Sequence, residues 1–132
     1  MLSVELAIHL RAAGVSWTPG RGDRFVVPGR DLDDEVFVIS DMTVDVHDFP
    51  TGGVIGFNGT TEWALDSLQQ DEVVWLPRED QLRMLVGETF VRLEAVPGGY
   101  AVVTRSATGE HRHVDLDAER AYARAVLAAR ER

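Results

Sequence analysis

The alternation of hydrophobic and polar positions along the chain predicts short helices and strands in an irregular order. Apolar residues recur at helical spacing across residues 3–14, where Ser3 is a candidate N-cap and Gly14 ends the pattern. The same spacing predicts three further helices. Their ranges are 58–70, 77–87 and 117–132. Pro77 suits the first position of the second of these helices, and Asp115 or Asp117 is the candidate N-cap of the last.

Strand patterns fall between these helices. Residues 35–40 form a near-continuous apolar run, which is typical of a buried strand. Residues 42–49 alternate between apolar and polar side chains, which predicts a half-exposed strand. The short junction at residues 40–41 predicts a hairpin between the two. Further strands are predicted over residues 24–27, 54–57, 72–76, 89–96, 100–105 and 111–116, and the last three would form an antiparallel meander.

This order of elements favours an α+β fold. The strand connections resemble hairpins, so we predict an antiparallel or mixed sheet with about four helices packed mainly on one side. A chain of 132 residues has the length of one domain, and we therefore expect residues 1–132 to form a single α+β domain. Its 45% hydrophobic and 27% charged residues are typical of a globular protein that folds without disulfide or metal support.

The charge of the chain is unevenly distributed. The net charge is −9: residues 1–75 carry thirteen acids and four arginines, whereas residues 76–132 carry nine of each. An acidic first half repels phosphate backbones and anionic lipids. We therefore expect no nucleic acid and no membrane partner, and we expect a protein partner with basic character.

Several chemistries are excluded by composition. There is no cysteine and no lysine, which removes disulfides, thiolate zinc sites, thiol nucleophiles and the lysine of a phosphate loop. No nucleophile motif is present, and we expect no catalytic residue and no cofactor. The glycine-rich segment around Gly59 and Thr60 matches no phosphate-loop pattern and is interpreted as turns. The first residues lack a basic lead, which predicts a cytoplasmic location.

The segment DLDDEVFVISDMTVDVHDF, residues 31–49, contains seven acids and one histidine. One interpretation is a solvated, acidic interaction surface. The alternative is a metal-binding protein or metal-dependent hydrolase. The metal-ligand candidates are Asp31, Asp33, Asp34, Asp45 and His47. The interaction candidates are Asp33, Asp34, Asp41, Asp45, Asp48 and Trp17, the last as an exposed aromatic edge.

A second cluster, His111, His113 and Asp115, alternates onto one strand face. Three such positions on one straight strand span about 13 Å, too far for a single metal to bind all three. We therefore interpret the histidines as exposed hairpin residues. The exposed strand edge at residues 111–116, or the alanine-rich last helix, could form a two-fold contact and give a homodimer.

The sequence resembles two groups of proteins. With SWTPGRGDRFVVP, GFNGTTEWALDS and WLPREDQL, nearly the whole chain resembles short actinobacterial proteins, some of which are labelled CpaE-type pilus assembly proteins. The C-terminal half, with VVWLPREDQLRML and GGYAVV, is similar to small phage-like proteins. Because this chain has no lysine and no phosphate loop, the first resemblance implies an accessory role in assembly without ATP hydrolysis.

Overall fold

The computed structural model describes residues 1–28, 32–39, 45–49, 52–56, 67–69 and 73–131, with the backbone alone for 32–35, 45–49, 52–56 and 67–69. The chain divides into two compact units. We call Met1–Ser16 with Pro77–Arg132 the terminal unit, and Trp17–Leu76 the central unit. The described residues have an α+β structure, which confirms the predicted fold class. The expectation of one domain over residues 1–132 stays a prediction.

The sheet of the terminal unit is a three-stranded antiparallel meander. Its strands are β7 (Phe90–Val96), β8 (Gly99–Ser106) and β9 (Gly109–Asp115), with β8 in the centre. The two hairpin turns contain Gly98 and Gly109, whose positive φ angles of 81° and 116° suit glycine far better than a residue with a Cβ atom. The meander predicted from the sequence is confirmed.

Three α-helices lie in the described part of the chain, all in the terminal unit. They are α1 (Val4–Ala12), α2 (Glu79–Val86) and α3 (Ala118–Arg130), and a short 3-10 turn follows α2 at Gly87–Thr89. The predicted caps of the first and last helices are confirmed. The Ser3 hydroxyl accepts a 3.2 Å hydrogen bond from the Leu6 N–H, and the Asp117 carboxylate accepts one of 3.2 Å from the Arg120 N–H.

The start of α2 differs from the prediction. The helix begins at Glu79, two residues after Pro77, so the proline does not occupy the first helical position. The reason is a local cap, because the Gln81 side chain accepts a 2.9 Å hydrogen bond from the Arg78 N–H. Gly87 ends the helix, as predicted, with a φ of 72°.

The core of the terminal unit lies between its helices and one face of the sheet. Helix α3 packs on β8 and β9, and α1 and α2 both pack against α3. The residues buried here include Leu2, Leu6, Leu10, Leu82, Val102, Tyr122, Ala125 and Val126. Each large apolar side chain removed from water in this way stabilises the fold by about 1.5–3 kcal/mol before entropy is counted.

The central unit contains two three-stranded antiparallel sheets in its described residues. In the first, β1 (Arg24–Val27) lies between β2 (Leu32–Val38) and β6 (Val74–Leu76). In the second, β4 (Gly52–Gly56) lies between β3 (Asp45–Phe49) and β5 (Ser67–Gln69). These strands confirm most of the predicted extended segments.

Two predictions for the central unit differ from the described structure. Among the described residues, β2 pairs with β1 and β3 pairs with β4, and no pairing joins β2 to β3; the hairpin junction expected at residues 40–41 lies outside the described residues. The helix expected over 58–70 is contradicted at residues 67–69, which form β5 and place Leu68 opposite Ile55. The other residues of that range lie outside the described part of the chain. Within the described part there are three α-helices, against the four or so that were predicted.

The core of the central unit is built around Phe25. Its ring is fully buried, and it lies with Val27, Ile39 and Val73 in one apolar cluster. The half-buried Trp17 and Phe37 pack against this cluster. Within the described residues of both units, no helix is long and apolar enough to cross a membrane.

Candidate functional site

The acidic segment of the sequence falls on two outer strands of the central unit. Asp33 and Asp34 belong to β2, and Asp45, His47 and Asp48 belong to β3. Each of these strands lies at the edge of its three-stranded sheet in the described part of the structure. An outer strand has one row of backbone N–H and C=O groups that the sheet itself does not use. The acids therefore lie on two outer strands, β2 and β3, whose backbone edges could pair with a strand of another chain.

The side-chain geometry of this segment lies outside the described residues. This applies to Asp31 and Asp41 as a whole, and to the side chains of Asp33, Asp34, Asp45, His47 and Asp48. The glycine-rich segment with Gly59 and Thr60 lies outside them as well. Among the residues that are described, no group of three or more histidines and acids could hold a metal ion. Both the metal-site and the interaction assignments stay predictions.

Trp17, the aromatic interaction candidate, is half-buried and fixed on several sides. Its ring stacks on Trp75 with 6.0 Å between centroids and an interplanar angle of 5°, and it lies 6.1 Å from the Phe25 ring. Its indole N–H donates a 2.8 Å hydrogen bond to Asp23, which also accepts from the Gly20 N–H. These contacts pack much of the ring within the central unit, so the tryptophan can offer a partner only the part that stays accessible.

His111 and His113 are half-buried, whereas exposed hairpin histidines were expected. His111 Nε2 lies 2.8 Å from the Ser106 hydroxyl and 3.1 Å from the Thr108 hydroxyl. His113 Nε2 lies 3.1 Å from the Thr104 hydroxyl, which is itself buried. These neighbouring hydroxyls, from β8 and the β8–β9 turn, hold both imidazoles against the sheet.

Asp115, the third member of that cluster, is engaged by helix α3. Its carboxylate is 5% exposed and forms ion pairs with Arg120, at 3.1 Å, and with Arg124. It also accepts a 2.7 Å hydrogen bond from the Leu116 N–H. Burial by itself would raise the pKa of Asp115, but the hydrogen bonds and the two guanidinium charges outweigh burial and lower it. This carboxylate joins β9 to α3.

The opposite face of the terminal sheet carries a network of exposed ion pairs. Arg92 on β7 lies 3.4 Å from Glu94 and 3.3 Å from Glu110, Arg105 lies 3.0 Å from Glu110, and Arg112 pairs with Glu94. The hydrogen bond from Arg105 and the positive charges nearby lower the pKa of Glu110. Exposed pairs of this kind contribute little stability, because water and salt screen them. They do fix the positions of charged groups on this face.

A groove in the terminal unit lies between α2, β7 and α3 and has a volume of about 560 Å³. It is lined by Glu79, Asp80 and Arg83 of α2, by Phe90, Val91, Arg92 and Leu93 of β7, and by Tyr122 of α3. This volume is within the range of ligand-binding clefts. The groove could not be predicted from the sequence because Tyr122 comes from α3, far along the chain from α2 and β7.

The groove combines an aromatic floor with charged walls. The rings of Phe90 and Tyr122 stack with 5.8 Å between centroids, and the Arg83 guanidinium carbon lies 4.4 Å from the centre of the Phe90 ring. Burial raises the pKa of Tyr122, and the negative charge of Glu79 raises it further. Tyr122 therefore stays a neutral phenol at physiological pH. A surface of this composition can hold an apolar side chain between groups of both charges.

No protein-family model, curated protein or solved structure matches this chain.

Proposed function

We propose that this protein is a non-enzymatic interaction module that binds a basic segment of another protein along its acidic outer strands. The observation that carries the proposal is the placement of the acids. The sequence concentrates them in residues 31–48, and two of the strands formed there, β2 and β3, lie at sheet edges in the described part of the structure. A basic segment could add to such an edge through backbone hydrogen bonds.

Charge favours a basic partner over a neutral one. The central unit, residues 17–76, holds twelve acids and three arginines and so carries the whole net charge of −9, whereas residues 77–132 are neutral. Carboxylates beside an unpaired strand edge also discourage uncontrolled pairing with apolar strands. A partner strand with lysine or arginine at alternate positions would form backbone hydrogen bonds with the edge, and its positive charges would attract the carboxylates. Long-range attraction would raise its association rate at low salt.

Cytoplasmic location and a role as an accessory protein in assembly belong to the same proposal. The resemblance to proteins labelled CpaE-type pilus assembly would make the partner a component of a larger assembly. A binding module without chemistry of its own fits such a role. The basic segment is the chemical feature by which a partner would be recognised.

A peptide-binding titration tests the proposal. The probe is a fluorescent peptide of about six residues, the length of a typical strand, that alternates lysine with valine. We expect saturable binding that weakens as salt is raised from ~50 mM to ~500 mM, because exposed charges are then screened. A peptide with glutamate in place of lysine should not bind. Equal binding of the two peptides would contradict the proposal.

Paired variants locate the binding edge. D33N/D34N neutralises β2 and D45N/D48N neutralises β3, while E88Q/E131Q removes the same charge from exposed positions of the terminal unit. The variant that neutralises the binding edge should bind the lysine peptide roughly three- to tenfold more weakly than the wild type. This is the effect of losing one or two exposed charge pairs. The control variant should lose less than twofold. Equal losses in all three variants would indicate a general charge effect and refute a specific edge.

A further inference from the structure

The groove of the terminal unit runs along the edge of strand β7. Four consecutive residues of this strand, Phe90–Leu93, line it. Successive side chains of a strand point to opposite faces, so a cleft that touches four residues in a row must follow the side of the strand. A shift of register between Phe90 and Arg92 adds one residue to β7 relative to β8 at this point.

This side of β7 has no partner strand in the described part of the chain. The sheet order is β7–β8–β9, so β7 forms its ladder with β8 alone. The floor of the neighbouring groove is the stacked pair Phe90 and Tyr122. The outer edge of β7 therefore combines an unpaired backbone, a neighbouring groove and an apolar groove floor.

We infer that β7 pairs with β7 of a second copy of this chain, antiparallel, about a two-fold axis at Leu93. The strand sequence FVRLEAV is self-complementary about this residue. Antiparallel pairing centred there places Leu93 opposite its own copy and Arg92 opposite the second copy's Glu94. It also places Val91 opposite Ala95, so each apolar position meets an apolar one.

The charged face of the sheet continues across this contact. Within one chain, Glu94 already lies between Arg92 and Arg112. In the dimer each Arg92 would gain a second carboxylate from the neighbouring copy, and the ion-pair network would extend over six strands. On the other face, Leu93 of the second copy would enter the groove beside Phe90. Opposite charges and apolar groups are thus matched on both faces of one strand.

The other outer strand of this sheet, β9, is less well matched to itself. Pairing Glu110 with Arg112 of a second copy requires the two-fold axis at His111 and joins only residues 109–113. The exposed Val114 and Leu116 would then lie outside the paired segment. In strand β7, by contrast, every position from Phe90 to Val96 is matched in charge or apolar character under this two-fold axis, and its register against β8 shifts only between Phe90 and Arg92. The self-contact is therefore assigned to β7.

Charge-swap variants of the full chain test this contact by sedimentation velocity. The wild type at tens of micromolar should sediment with twice the chain mass of 14.6 kDa. R92E alone places two acids opposite each other and E94R alone places two arginines opposite each other, so each should sediment as a monomer. An equimolar mixture of R92E and E94R should recover the dimer, because each chain supplies the charge that the other needs. R105E changes the same ion-pair network away from β7 and should stay dimeric.

A cysteine variant tests the register independently of charge. The chain has no cysteine, so L93C introduces a single thiol at the two-fold axis, where side chains directly opposite each other are about 4.5–5.5 Å apart at Cβ. Mild oxidation should cross-link L93C into a covalent dimer, whereas V114C on β9 should form little covalent dimer. Circular dichroism confirms that each variant is folded. A monomeric wild type, a monomeric mixture of R92E and E94R, or preferential cross-linking of V114C would each overturn the inference.

Discussion

The indole Nε1 of Trp17 donates a 2.8 Å hydrogen bond to the carboxylate of Asp23, which is 5% exposed. The same carboxylate oxygen accepts a 2.9 Å hydrogen bond from the Gly20 N–H. One buried acid therefore closes the loop before β1 and holds the indole against Trp75 and Phe25. This acid therefore stabilises the central unit itself.

Replacing Asp23 tests this role. D23A leaves the Trp17 and Gly20 donors without their acceptor, and we expect the free energy of unfolding to fall by about 1–3 kcal/mol. D23N keeps one oxygen acceptor and should lose less. Urea unfolding followed by tryptophan fluorescence measures the change, because all three tryptophans lie in the central unit. The exposed Asp80 provides a matched control, and D80A should change the stability by less than about 1 kcal/mol. Equal effects of D23A and D80A would contradict this account.

Phe25 is the second test of the central unit. Its ring is fully buried and stacks on Phe37 with 5.4 Å between centroids. F25A leaves a cavity in the apolar cluster, and we expect a loss of about 3–5 kcal/mol. V38A, at a side chain that is 59% exposed in the adjacent strand, should cost less than about 0.5 kcal/mol. Similar urea midpoints for the two variants would show that Phe25 does not anchor this core.

Elements with local signals could be predicted from the sequence. Ser3 and Asp117 cap their helices as expected, and the turns at Gly98 and Gly109 join the strands of the meander. In each case the residues that interact are close together along the chain. Caps and tight turns depend on backbone preferences that a short sequence already contains.

Pairing between strands could not be predicted in the same way. Residues 35–40 and 42–49 were both expected to be extended, and strands are found at 32–38 and 45–49. Strand propensity does not specify the partner, however, and each strand pairs with a different neighbour. Leu68 is compatible with the apolar face of a helix as well as with a strand. In the structure it pairs with Ile55, so residues 67–69 form a strand. The groove at Phe90 and Tyr122 likewise depends on contacts between distant elements.

The ion pairs of Asp115 predict a loss of stability in acid. Its pKa is lowered in the folded protein, so the folded state binds the proton less tightly than the unfolded chain does. The stabilisation is therefore complete above the unfolded pKa of about 3.9 and is lost as the pH falls below it through the folded value. At neutral pH, D115N should be less stable than the wild type by about 1–2 kcal/mol.

A pH series of urea unfolding checks this prediction. Far-UV circular dichroism is a suitable signal, because the described α-helices all lie in the terminal unit with Asp115. The stability difference between the wild type and D115N should shrink as the pH is lowered from about 5 to about 2. Other titrating acids affect both proteins alike and cancel in the difference. A difference that stays constant over this range would contradict the ion-pair assignment.

Metal addition separates the interaction module from a metal site at Asp31, Asp33, Asp34, Asp45 and His47. If the acids serve as a binding surface, magnesium, calcium, manganese and zinc should leave the thermal midpoint unchanged at moderate concentration. A metal site filled at 100-fold over its dissociation constant would stabilise the protein by about 2.7 kcal/mol. A clear upward shift that disappears in D45N, but persists in a control such as E88Q, would favour the metal-dependent alternative.

Hydrogen–deuterium exchange in the presence of the lysine–valine peptide tests the central claim most directly. Backbone pairing with a bound strand should slow amide exchange in residues 32–38 or 45–49, the two acidic outer strands. Peptides from β1 and β4, which are already paired on both sides, should change little. Slower exchange confined to one or both acidic strands is the result we predict. Binding that protects neither strand would contradict the proposal.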